Sequence, residues 1–321
     1  MDSRLRGNDI KKGGYMRRLK ALVLLCASAL TFSACASIKT ASDVPKFERK
    51  AAAGDASALD AMLDALKSND RVKRDKTYDA LIAVGQPAVP RLIGLLNDDD
   101  PATREYAAAI LGNIGDERAV APLMEMLKSG KTPRYIYAWA LGKLKAEAAI
   151  APLITALGEK NDALQKEATR ALIGIGAPAV PALVKGLESP VADVRKYSAR
   201  ALSIIEDKRA EGPLDARLSD EDPDVAAAAA LALGTAGTEK SIPALIKALD
   251  AKDMMTRVNA SISLGQLEAK DAVGPLTAIM DKDKNPYVRE WSARALENIT
   301  GNRYKYKDEH GAMVFPYNLY R

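Results

Sequence analysis

Residues 101–130 read PATREYAAAILGNIGDERAVAPLMEMLKSG. Ala107, Ala108, Leu111 and Ile114 fall at helical spacing on one face, and Gly115 follows where that helix should stop. Asp100 suits the N-cap and Pro101 the first turn. Ala119, Val120, Leu123 and Leu127 then make the apolar face of a second helix. Pro122 falls in its first turn, where the backbone N–H has no intrahelical partner anyway. The stretch predicts one antiparallel helix pair.

The pattern repeats along the chain. Leu81, Leu111, Leu141, Leu172, Leu202, Leu233, Leu264 and Leu296 recur every 30–32 residues. Leu92, Leu123, Leu153, Leu183, Leu214, Leu245 and Leu276 keep the same beat, each with a proline one or two residues before it. A fixed period of this length predicts a stacked array, an all-α solenoid of helix pairs. Hydrophobic residues at 48% can fill a continuous core, while aromatics at only 5% and abundant alanine suit helices packed through small side chains. Residues 44–69 read as a degenerate first unit, with Met62 and Leu66 in second-helix register, and the array runs from 44 to 300.

The formal charge of +5 does not make a nucleic-acid footprint. Residues 1–35 hold seven Lys/Arg and two Asp, and the rest is balanced at 40 of each sign. No basic surface is left to draw a phosphate backbone, so no nucleic-acid partner is expected. Both cysteines, Cys26 and Cys35, lie in the same N-terminal stretch, so the repeat body has no thiol chemistry.

That stretch carries an address. Arg17, Arg18 and Lys20 precede an apolar run from Ala21 to Phe32, too short to span a bilayer. Residues 16–34 read as a signal peptide, with Met16 as the start and 1–15 as a mis-called upstream segment. Ser33-Ala34-Cys35 resembles a bacterial lipobox, although Phe32 stands where leucine is usual. The resemblance implies lipidation at Cys35, a tether over 35–43, and, with Ala36 next, the periplasmic face of the outer membrane.

The repeat unit resembles HEAT repeats of the short type first noted in phycobilisome lyase subunits. The residues that carry the likeness are the leucine-glycine pairs at 111–112, 141–142, 233–234 and 264–265, and the segments Ala88-Val89-Pro90 and Ala179-Val180-Pro181. An arginine seven residues before the core leucine belongs to it too: Arg74, Arg104, Arg134, Arg195, Arg257 and Arg289. Gln165 and Ala226 break that series. The resemblance implies that these arginines are structural, bridging neighbouring units through acids in the loops.

Catalytic constellations do not emerge. His310 is the sole histidine of the chain, and a lone histidine does not build a typical zinc site. The His-Glu pairs of the related deoxyhypusine hydroxylase have no counterpart. Asp281–Asn285 imitates the start of a calcium loop, but Pro286 stands where that loop needs glycine. It reads as an inter-repeat turn, as do 98–100 and 220–222. No cofactor or metal is expected.

One pair departs from its repeat background. Where other units carry charged residues, the third carries Tyr135 and Trp139, four apart on one helix face. Exposed aromatics are enriched in binding hot spots, which makes the pair a candidate protein-binding patch; the alternative is local packing against Tyr106 of the previous unit. The tail beyond Thr300, with Tyr304, Tyr306, Phe315, Tyr317 and Tyr320, suits a cap over the last repeat. The expected function is a non-catalytic scaffold or assembly factor, lipid-anchored in the envelope, with an unknown protein partner. The alternative is an accessory subunit of a chromophore lyase or other enzyme.

The lipobox reading predicts a loss of anchoring. Cys35→Ser should abolish acyl labelling and shift the protein from the membrane to the soluble fraction. Equal membrane retention of both forms, with no label in either, contradicts it.

Overall fold

The computed structural model describes residues 37–316. The upstream segment, signal peptide and Cys35, together with Tyr317 and Tyr320, lie outside the described residues. The chain forms an all-α solenoid of helix pairs and divides into two compact units, one ending at Ala88 and the other beginning at Val89. Among the described residues no helix is long and apolar enough to cross a membrane.

The first unit holds α1 (Val44–Ala52), α2 (Ala56–Leu66) and α3 (Arg71–Val84). Aspartates start two of these helices. Asp55 accepts from the Ser57 and Ala58 amides, and Asp70 from the Lys73 amide, satisfying N–H groups that a first turn cannot pair. Phe47 and Ala51 of α1, Met62 and Leu66 of α2, and Leu81 and Val84 of α3 are buried.

The second unit opens on α4 (Val89–Leu95) and then alternates longer and shorter helices. The longer, first helices of the pairs are α5 (Pro101–Ile114), α7 (Arg134–Lys143), α9 (Asp162–Ile175), α11 (Ala192–Ile205), α13 (Pro223–Ala236), α15 (Met254–Gln266) and α17 (Pro286–Thr300). The second helices are α6 (Val120–Lys128), α8 (Ile150–Leu157), α10 (Val180–Gly186), α12 (Glu211–Arg217), α14 (Ile242–Ala248) and α16 (Val273–Lys282). Each of these six is entered through a single 3-10 turn. Gly115, at φ 78°, ends α5 in the left-handed region that glycine adopts at no steric cost.

Both leucine series point into the seam between the two helix layers. Leu111, Leu141, Leu172, Leu202, Leu233, Leu264 and Leu296, like Leu123, Leu153, Leu183, Leu214, Leu245 and Leu276, are fully buried. The first helices stack most closely. A Cβ on Gly112 would lie 2.9 Å from the Ala140 Cα, and one on Gly142 only 2.6 Å from the Ala171 Cα. Farther along, Asn259 and Ser263 of α15 donate to the Ala227 and Ala230 carbonyls of α13, at 2.7 and 2.6 Å. Side chains can reach a neighbour's backbone only because α13 presents a run of alanines, Ala226–Ala230, all buried. Beyond α17 the chain turns back as a hairpin, Tyr306–Lys307 paired with Met313–Val314, and its first strand lies against α16 and α17.

Two contrasts test this packing. Leu172→Ala should cost about 2–5 kcal/mol through lost burial and the cavity left behind, whereas Lys166→Ala, on the exposed face of the same helix, should change stability by no more than about 0.5 kcal/mol. Gly142→Ala should destabilise by about 1–3 kcal/mol because it overpacks the contact with Ala171. Gly94→Ala, where a Cβ meets nothing within 4 Å, should stabilise by up to about 1 kcal/mol. Urea unfolding of the four variants reads both contrasts, and shifts of the same sign for the two glycine variants would refute the helix contact.

Candidate functional site

The polar architecture of the molecule is a ladder of arginines at the ends of the helix pairs. In most of them one Nη reaches back to the turn just before its own helix. Arg74 donates to the Ser68 carbonyl, Arg104 to Asp98 and Asp99, Arg195 to Ser189 and Pro190, and Arg257 to Ala251 and Lys252. These carbonyls lie five and six residues upstream, so a single helical turn plus a planar guanidinium fits them. Arg289 makes the same bond to Asp283.

The other edge of the guanidinium reaches forward into the next repeat. Arg195 holds Asp220 in a two-pronged pair at 2.9 and 2.7 Å, and Arg257 holds Asp283 at 2.7 and 3.1 Å. Arg134 pairs likewise with Glu159, and Arg104 reaches the Thr132 carbonyl. Arg289 ties the tail hairpin to α17 through the Lys307 and Asp308 carbonyls. Glu159, Asp220 and Asp283 were not singled out individually from sequence. Their constant separation of 25 or 26 residues from the arginine is the signal that identifies them.

Arg195 is 6% and Asp220 2% exposed. Burial works to raise the Asp220 carboxyl, but hydrogen bonds from Arg195 and the Asp222 amide, with the charges of Arg195 and Arg217, outweigh it and hold the group below its usual 3.8. The turns entering the second helices use a more local device. Asp116 and Asp207 bind the arginine two residues on, Arg118 and Arg209, and sit at about 2.

Crevices open along the layer of second helices. The crevice beside the Arg134–Glu159 pair has a volume of about 370 Å³, and that around Arg195–Asp220 about 240 Å³. In the repeat of Gln165, the crevice between α8 and α10 widens to about 560 Å³. Between α12 and α14, in the repeat of Ala226, it reaches about 790 Å³.

Of the two readings of Tyr135 and Trp139, the structure favours packing against the previous unit over a fully open aromatic face. Both are half-buried. The Tyr135 hydroxyl donates to Glu105 at 2.6 Å, which pushes its pKa up to about 12. The Trp139 ring edge approaches within 3.0 Å of where a Gly112 Cβ would lie, and Lys143 sits over the ring. Gly112 is the physical reason: without a Cβ it leaves a hollow on α5 that the next helix fills with its indole. His310 lies in the exposed tail beside Glu309. Among the described residues no group of three or more His, Cys, Asp or Glu could hold a metal.

The helix-pair array has a family counterpart. A family model described as HEAT repeats matches residues 59–135, 131–203 and 210–297. The chain belongs to the HEAT-repeat family. Two relatives are both named phycocyanobilin lyase subunit alpha. One, from a Nostoc species, is 35% identical over 119 residues, 34% of this chain and 42% of its own length. The other, from a Picosynechococcus species, is 28% identical over 204 residues, 58% of this chain and 70% of its own length. A crystal structure of a Kap121p mutant has a TM-score of 0.59 at 13% identity, covering 76% of this chain and 34% of that one, a likeness of fold alone.

The relatives correct one expectation. They are subunits of a lyase, which overturns the reading of this HEAT-repeat chain as a scaffold or assembly factor of the envelope and favours the alternative, an accessory subunit of a chromophore lyase or other enzyme.

The ladder predicts a graded response. Arg195→Met should cost about 1.5–3 kcal/mol, the range of hydrogen bonds to charged groups, while Arg118→Met, at an exposed turn, should leave the unfolding midpoint nearly unchanged. Asp220 has a lowered folded pKa, so its contribution is full above the unfolded carboxyl's range and is lost as pH falls through the folded value. Asp220→Asn should therefore flatten the acid limb of stability below about pH 4, in melts taken from pH 2 to 7. An unchanged acid limb would show that Asp220 is not held as described.

Proposed function

We propose that this chain is an accessory subunit of a heteromeric lyase whose substrate is a bilin-type chromophore. The observation that carries the reading is the identity with phycocyanobilin lyase alpha subunits, which extends over 204 residues and so spans several repeats rather than one. A helix-pair array supplies a long surface on which a second subunit and a chromophore-accepting protein can be held in register. The chain contributes that surface, and the bond-forming groups belong to the second subunit. The residual exposed edges of Tyr135 and Trp139 are offered to the same contact, since aromatic residues concentrate binding energy. The signal sequence and Cys35 support placement on the periplasmic face of the outer membrane, where the lipid holds the complex at the surface.

The test is biochemical. The tagged full chain is purified from its own cells together with whatever binds it stoichiometrically. The complex is then incubated with phycocyanobilin and a cysteine-bearing acceptor. Covalent bilin–acceptor adduct, seen by absorbance and intact mass, is expected from the complex and not from the chain alone. A monomeric chain, or a complex that forms no adduct, overturns the reading.

A further inference from the structure

The two gaps in the arginine ladder are not equivalent. At the first gap Gln165 takes over part of the role, because its Nε2 donates to the Leu157 carbonyl of the preceding turn at 3.0 Å. At the second gap Ala226 has nothing to donate. Its turn presents the carbonyls of Asp220 and Glu221, six and five residues upstream, in the register that Arg104, Arg195 and Arg257 use in their own repeats. Neither of these carbonyls accepts a hydrogen bond from a described residue. The forward partner has changed in step: Ala251 stands where the previous repeat has Asp220. Both ends of one bridge are missing, and the crevice there is about twice the volume of the one beside Arg134.

We propose that the crevice between α12 and α14 is a socket for an arginine side chain of a partner polypeptide. The partner supplies in trans the guanidinium that the other repeats supply from their own helix. The chemistry of the walls selects the occupant. Asp215, Asp220, Glu221, Asp250 and Asp253 outnumber Lys247 and Lys252 in the lining. Asp220 is already held by Arg195, and the largely exposed Glu221 lies 3.5 Å from the same guanidinium, while Asp250 is exposed at the rim. The apolar part of the lining is Leu218, Pro223, Ala226, Ala244 and Ala248.

A long side chain with an aliphatic stem and a cationic head matches that combination. Two adjacent carbonyls with carboxylates beside them favour a planar fork over an ammonium. An anionic ligand, such as a propionate or phosphate, meets the wrong charge. The inference is independent of the lyase reading, which neither requires this socket nor falls with it.

The probe is Nα-acetyl-arginine amide, titrated into the purified full chain and followed by backbone amide NMR. Saturable shifts are expected over residues 220–226 and 247–253. Nα-acetyl-citrulline amide, neutral and nearly isosteric, should bind about tenfold more weakly because it lacks the charge assistance. Ala226→Arg should raise the melting temperature by restoring the bridge to the Asp220 and Glu221 carbonyls, and should remove the response. Should that variant fold poorly, Asp250→Lys, a rim change that repels a cation, must weaken the response instead. Equal binding of the two amides, shifts outside these segments or none at all, or an undiminished response in a folded variant overturns the socket.

Discussion

The structure depends on how closely its first helices approach one another. Gly112 against Ala140 and Gly142 against Ala171 leave no room for a methyl group, and the alanine run of α13 carries the same closeness forward by letting Asn259 and Ser263 touch backbone. Backbones this near bury area through many small contacts rather than a few large side chains. That is why a chain with few aromatics can still enclose two full rows of leucines. Crowding in one layer has a geometric counterpart in the other. The second helices stand farther apart, and the space between them appears as crevices.

The arginines close that space. Each occupies a junction where two turns meet and where carbonyl groups at a helix boundary need donors. A guanidinium can serve the turn behind and the turn ahead together because its donors lie in one plane. At three junctions the arginine is matched by a forward acid, while Arg104 uses the Thr132 carbonyl instead. Glu159, Asp220 and Asp283 accompany Arg134, Arg195 and Arg257, whereas Ala251 accompanies Ala226 and Ser189 accompanies Gln165. A buried acid without its base is costly, so the two are lost together. What remains is a junction whose backbone still has the geometry of a guanidinium site.

Function followed a different route from fold. The lack of a recognisable catalytic or metal-binding motif in the repeat sequence pointed toward a scaffold, and that inference had the wrong target. A subunit of an enzyme need not carry the enzyme's chemistry, so a missing catalytic constellation does not separate a scaffold from a lyase subunit. Similarity to two alpha subunits of a lyase is what favours the second reading. The pair Tyr135 and Trp139 shows a related limit. In sequence they differ from the charged residues of other repeats, yet whether an aromatic side chain faces solvent depends on the neighbouring helix, and here Gly112 and Glu105 receive them.

The sequence by itself determined the helix pairs, their period, the buried leucine rows and the arginine register, because each is written in spacings of three, four and about thirty residues along one chain. Even the gaps at Gln165 and Ala226 were legible. The tertiary structure alone decided what those gaps mean. Whether a missing arginine leaves the carbonyls of its turn with or without a donor depends on atoms brought together in space. Gln165 reaches a carbonyl and Ala226 does not, and that difference is one of distance in space, which residue spacing does not contain.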